Sequence, residues 1–241
     1  VHPESPISAG LVCWGNAWLT GHVGLDEAVD HVEREGGPCV VGDVPLRGFL
    51  ADLRVAGMHA LRLALPAPGD PLGLTGPPAF NTLAIDAGQA VIAVLPEQSV
   101  GLVPAPDLRG SSYSGVRWTA LQVRATTPDI PSIAEAEQAL SAAMHAATEA
   151  LASVDGPRPP VPDAALARAA QPLAPGYPAR AHRVAVLAAR LTVMLHLAEE
   201  RGLTVGQIAT GDNALRELDR AVRRARVAAH HAIFEPSRPH R

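Results

Sequence analysis

Apolar positions recur at helical spacing from the start of the chain. Ile7, Leu11, Trp14 and Trp18 form one stripe, and Gly21 stops it. Leu25, Val29 and Val32 mark a second helix, halted by Gly36-Gly37. Cys39-Val40-Val41 reads as a short strand. Pro45 suits the first turn of a helix whose face is Leu46, Phe49, Leu50 and Leu53. Two units then echo one another. In each a helix ends at Ala-Gly (Ala56-Gly57, then Ala87-Gly88), a strand follows (Met58 to Leu65, then Gln89 to Leu95), and a proline closes it (Pro66, then Pro96). Glycine supplies a left-handed cap, and proline cannot donate to a ladder. Leu61, Leu63 and Leu65 alternate with Ala60, Arg62 and Ala64, which gives the first strand one strongly buried face. Ala90 to Leu95 is apolar throughout, as in a central strand covered on both faces. Gly101 to Val103 and Val116 to Arg124 complete the sheet, the second suiting a place near an edge.

Past Thr127-Pro128 the pattern is helical only. Ser132-Ile133-Ala134-Glu135 is a capping box, opening a stripe of Ile133, Ala136, Leu140, Ala143, Ala147 and Leu151. Proline-rich connectors follow at 156–160 and 172–178, with a short helix expected over Ala164 to Ala170. A long helix covers Ala179 to Arg201, with Val184, Leu187, Leu191, Met194, Leu195 and Ala198 on one face. Thr204 with Gln207 is a second capping box. Asp212 is placed to cap a last helix with the stripe Leu215, Leu218, Val222, Ala225, Ala229 and Ile233. The expected class is therefore α+β: residues 1–126 a mixed α/β domain with a small sheet, and residues 127–241 a bundle-like helical half packed on it.

Composition narrows the chemistry. With 47% apolar and 18% charged residues in 241, the chain is globular, and a net charge of −4 does not draw it as a whole to nucleic acid or an anionic membrane. All basic residues are arginine. The absence of lysine excludes Schiff-base and Walker-type phosphate chemistry. Cys13 and Cys39 form no disulfide framework and no Cys-x-x-Cys pair. The apolar tract Val184 to Ala198 is read as too short to cross a bilayer, and the first residues lack a basic leader pattern, so a cytoplasmic setting without membrane is expected.

The most unusual segment is the proline-glycine loop 66–78. Were the two echo strands parallel, this loop would lie at the carboxyl ends of the strands, where open α/β sheets bind ligands. Asp70, Thr75 and Asn81 would then offer hydrogen bonds to a small molecule, with Ser111 and Tyr113 from a second, serine-rich loop on the same side. The alternative is a proline-stiffened turn in which Asp70 satisfies nearby amides. His182, His196 and Glu200, with His145 and Glu149 on another helix, lack the spacing of a metal motif, and neither metal nor cofactor is expected. Arg216, Arg220, Arg223, Arg224 and Arg226 line the last helix, but Glu217 and Asp219 interleave with them, which argues against nucleic acid and for a solvated or partner-facing surface. No nucleophile elbow is present, and no catalytic residue is assigned.

Trp14-Gly15-Asn16-Ala17-Trp18, the stretch Leu65 to Leu74 and the stretch Leu215 to Arg224 resemble an uncharacterised protein family of high-GC Gram-positive bacteria. The resemblance spans most of the chain and implies no named activity, ligand or catalytic residue. Three readings of function stand: first a non-catalytic binding or regulatory protein, with a homodimer or protein partner through the C-terminal helices; second a small-molecule binder or enzyme using the loop 66–78; and, a distant third, nucleic-acid binding through the C-terminal arginine helix.

Overall fold

The computed structural model describes residues 6–72, 74, 76–109, 113–124, 130–152, 166, 171–200 and 208–236. The chain divides into two compact units. The first comprises the residues up to Ile130 together with Leu173–Tyr177, and the second Pro131–Pro172 and Pro178–Ser237.

The first unit holds α1 (Ile7–Leu19), α2 (Leu25–Gly36), β1 (Cys39–Val41), β2 (Val44–Pro45), α3 (Leu46–Val55), β3 (Ala60–Ala64), α4 (Pro78–Ala87), β4 (Ala90–Val94), β5 (Ser99–Arg109) and β6 (Tyr113–Val123). The strands form one mixed sheet in the order β2-β1-β6-β5-β4-β3. Among the described residues only the β1–β6 pair is parallel. Gly57 and Gly88, at φ 95° and 64°, end the helices before β3 and β4, so the repeated helix-glycine-strand pattern is real. Its two strands are nevertheless antiparallel neighbours, with Leu63 opposite Val91. β4 is buried along its whole length because helices cover both faces. Phe80 of α4 packs with Ile92 and Val103 on one face, while α1 lies against Leu61 of β3 on the other.

Two strand assignments change. β6 is an interior strand, and the edges are β2 and β3. β5 runs on through Pro104 and Pro106, where sequence reading ends it at Val103. β4 pairs with β5 only as far as Leu102. Beyond that point β5 has an open side, where prolines two residues apart can both turn their donor-less nitrogens.

The segment Leu173–Tyr177 is tied to α1. The Ala174 N–H donates to the Cys13 sulfur at 3.0 Å, and the Tyr177 hydroxyl donates to the Cys13 carbonyl at 3.4 Å.

The second unit holds α5 (Ile133–Ala152), α6 (Ala179–Glu200), α7 (Ile208–His231) and a 3-10 turn at Ala232–Phe234. The capping box forms, with Ser132 Oγ and N–H both bonded to Glu135 Oε2. Glu235, just past the turn, accepts the Ile133 N–H at 2.8 Å. The start of α5 thus meets the end of α7, and α7 runs antiparallel to α5. Small side chains dominate the seam: Ala136, Ala147, Ala181, Ala188, Ala225 and Ala229 are all buried. The face of α6 is shifted from the expected stripe, since Met194 is 43% exposed while Ala181 and Ala188 are buried. α6 is also longer than the tract read from sequence, and Ala179–Ala198 is long and apolar enough to cross a membrane by length and composition. α7 begins at Ile208, so Asp212 lies within the helix and does not cap it. Thr204, Gln207 and, apart from Leu166, the short helix expected over Ala164 to Ala170 lie outside the described residues.

Candidate functional site

The antiparallel pairing of β3 and β4 removes the condition on which a shared ligand crevice rested. The loops following these two strands leave the sheet at opposite ends. Asp70 closes a tight turn: its N–H and carbonyl exchange hydrogen bonds with Ala67, both 2.9 Å. Asn81 sits in the first turn of α4, and its Oδ1 is buried without a donor among the described residues. Thr75 and Ser111 lie outside the described residues. No hydrogen bond, ion pair or ring contact between described residues joins Tyr113 to Asp70 or Asn81.

Tyr113 belongs instead to a projecting hairpin. β5 and β6 pair without interruption from Ser99–Val123 to Arg109–Tyr113. β4 stops alongside Leu102, and β1 reaches only Val116 to Trp118. The far end of the hairpin therefore extends past both neighbouring strands. Asp107 and Arg109 share one face, being two residues apart, and Arg117 lies diagonally across on the same face. Asp107 is 8% exposed. It accepts from Arg109 Nε at 3.2 Å and Nη2 at 2.7 Å, and from Arg117 Nη2 at 3.4 Å. Arg117 also donates to the Gly42 carbonyl and lies 3.8 Å from Asp43. Hydrogen bonding and charge from Arg109, with the charge of Arg117, hold the Asp107 carboxyl below its usual range against the opposing effect of desolvation. The Arg109 guanidinium sits 5.3 Å from the Tyr113 ring centroid, a cation–π distance. On the opposite face Leu108 is 71% exposed.

A fork-on-carboxylate pair and a cation–π contact hold two large side chains, Arg109 and Tyr113, in place. The two outermost strands are obstructed, while β5 keeps its open side beyond Leu102. At β3, the Asn16 side chain occupies the backbone of Leu61, and β2 is two residues long and ends in Pro45. Sequence reading missed the hairpin because Pro104 and Pro106 look like strand breakers. The available signal was the opposite charges at Asp107 and Arg109 in a period-two pattern.

Elsewhere the chemistry is muted. Burial pushes the Cys13 thiol up to about 12 and the Cys39 thiol up to about 11. Among the described residues no three His, Cys, Asp or Glu side chains gather as metal ligands would. On α7, Arg216 pairs with Asn213, Arg220 with Glu217 and Arg223 with Asp219, all within the helix.

Comparison with known proteins places matches along nearly the whole chain. A family described as "Rv1486c-like protein, N-terminal domain" matches residues 8–136, and its C-terminal counterpart matches residues 134–227. The "Uncharacterized protein MT1533" of Mycobacterium tuberculosis (strain CDC 1551 / Oshkosh) is 30% identical, covering 96% of this chain and 98% of that protein. The "Uncharacterized protein ML1804" of Mycobacterium leprae (strain TN) is 28% identical over the same shares. No solved structure matches.

Proposed function

The chain belongs to the Rv1486c-like family, and on that footing we propose that it is a cytoplasmic, non-catalytic binding protein that engages a partner protein through the β5–β6 hairpin. The observation carrying this reading is Leu108, 71% exposed on a hairpin whose Arg109 and Tyr113 are already ordered by Asp107 and by each other. Tyrosine and arginine are the residues that dominate interface energetics, and ordering them in advance lowers the entropic cost of binding. With the outermost strands β2 and β3 obstructed, the side chains of this projection supply the contact.

A photo-crosslinking residue at position 108, in the cells that make the protein, tests the reading. Val55, 90% exposed on α3, provides an apolar control position. The expected result is one discrete adduct at 108, none at 55, and loss of the adduct with Arg109→Ala. An adduct to a second copy of this chain identifies the partner as itself. Equal labelling at both positions, or none at 108, overturns the proposal.

A further inference from the structure

β6 is an interior strand for only part of its length. β1 lies beside it from Val116 to Trp118 and then turns into β2, while β6 runs on to Val123. The side chains of Thr119, Ala120 and Gln122 are exposed there. The Val116 N–H donates to the Pro38 carbonyl at 2.9 Å, so the backbone of Val116 faces the β1 side. Backbone direction alternates along a strand, and the β5–β6 ladder runs one-to-one without a bulge. Ala120 and Gln122 therefore turn their N–H and C=O groups to that same side. Among the described residues none of these four groups has a hydrogen-bond partner.

The rest of the sheet guards its open backbone. Asn16 occupies Leu61 of β3, and β2 is two residues long and ends in Pro45. Pro104 and Pro106 stand opposite Trp118 and Val116. By the same alternation they face away from β6, so the open side of β5 lacks two of its donors. The stretch 119–123 has neither a proline nor a charge to guard it.

We propose that this stretch receives a second copy of the chain, the two β6 strands pairing antiparallel about a twofold axis at Leu121. That register sets Ala120 opposite Gln122 of the second copy, and the outward groups of both copies are all used in four hydrogen bonds. The gap is as long as the segment that fills it. One residue further, Arg124 of the second copy comes opposite Trp118, where β1 already sits, and there β6 has ended. Charge fits as well. Positions 118–123 are uncharged, and the two Arg124 residues lie six positions apart along the pair, about 20 Å, so no like charges meet. Leu121 is only partly buried against the Phe80 cluster. On the axis it meets its own counterpart at about 4.5 Å between Cα atoms, which covers apolar surface left open in the single chain. Such a contact uses the same patch on both copies and closes as a dimer.

The test follows the full chain by sedimentation equilibrium over a range of concentrations, and reversible dimerisation is expected. Ala120→Pro sets at β6 the device that guards β5, removing an N–H that the single chain does not use. Two of the four hydrogen bonds go, so the dissociation constant is expected to rise at least about tenfold, with the unfolding midpoint of dilute protein little changed. Should Ala120→Pro fail to fold, Leu121→Cys reads the register directly. With oxidised glutathione as the oxidant, the two introduced thiols are expected to form a disulfide-linked dimer, because residues on the axis lie within bridging distance. The native cysteines are buried. Val55→Cys, at a position 90% exposed on α3, is the control and should yield little dimer. A parent that stays monomeric at every concentration, a dimer undiminished by Ala120→Pro, or cross-linking as ready at position 55 as at 121 overturns the proposal.

Discussion

The Asn16 side chain binds Leu61 twice, donating from Nδ2 to its carbonyl and accepting its N–H at Oδ1, each at 2.8 Å. Asn16 is fully buried on α1, and Leu61 is the second residue of the edge strand β3. A side-chain amide has the same donor–acceptor pair as a peptide, so Asn16 serves as a one-residue neighbouring strand and blocks that edge at Leu61. Gly15 makes the approach feasible: a Cβ there would stand 2.3 Å from Leu61 Cδ1. Asn16→Ala leaves a buried N–H and C=O without partners, and urea unfolding is expected to show a loss of about 2–4 kcal/mol. Asn16→Asp should lose at least as much, because an acceptor then faces the Leu61 carbonyl. A variant as stable as the parent would show that water replaces the amide.

Hairpin order rests on Asp107. Asp107→Asn removes the charge that holds Arg109 and Arg117, and amide exchange should rise from Asp107 to Arg109 and at Tyr113 while β4 is unchanged. The folded-state carboxyl lies below its ordinary 3.8. The pairing's stabilisation is therefore complete above that value and fades as pH falls through the lower folded value. The stability difference between parent and variant should be constant at neutral pH and close only in strong acid. A difference that vanishes already near neutrality would assign it to some other group.

His230 has the opposite dependence on environment: a base kept neutral by burial. Its pKa falls from 6.5 to about 4. An unfolded chain then binds a proton that the folded chain refuses, so stability is full above 6.5 and is lost as pH drops toward 4. The loss amounts to roughly 3 kcal/mol at most. His230→Gln should flatten the stability profile across that interval. An unchanged profile would mean that the ring takes up its proton without unfolding.

Both thiols should be inert in the native protein. With Cys13 at about 12 and Cys39 at about 11, the thiolate fraction at pH 8 is small, and burial blocks access as well. Alkylation is expected to be at least about a hundredfold slower than for a free cysteine, and complete in denaturant. Rapid labelling of either residue in native buffer would contradict the packing of α1 or β1.

Much of the fold was legible because local signals and tertiary structure agreed. Gly57 and Gly88 end helices, Ala90 to Val94 is covered on both faces, and Ser132 with Glu135 forms its box. Strand direction was not legible. The repeated unit has a helix between its strands, which suits a parallel crossover, but β3 and β4 pair antiparallel. Nothing in side-chain periodicity distinguishes the two, because alternation is the same in either direction. The candidate site suffered for the same reason. Asp70 and Asn81 depended on that direction, whereas Tyr113 stands against Arg109, its partner across the ladder. Asn16 stood in a tryptophan-flanked motif that could be quoted, but its role depends on a strand 45 residues away in sequence.

The strap Leu173–Tyr177 bears on the order in which the chain is made. During synthesis the first unit emerges up to Ile130, but its last piece follows only after Pro131–Pro172. Until Tyr177 has left the ribosome, the Cys13 sulfur and carbonyl lack the N–H and hydroxyl that later reach them. The sheet can form early from its own strands, while the outer side of α1 must wait. Completion of the amino-terminal unit thereby waits on translation of the first part of the helical one, and a nascent chain that has emerged past Ile130 but not to Leu173 has a first unit whose strands are all present but which is not yet fastened.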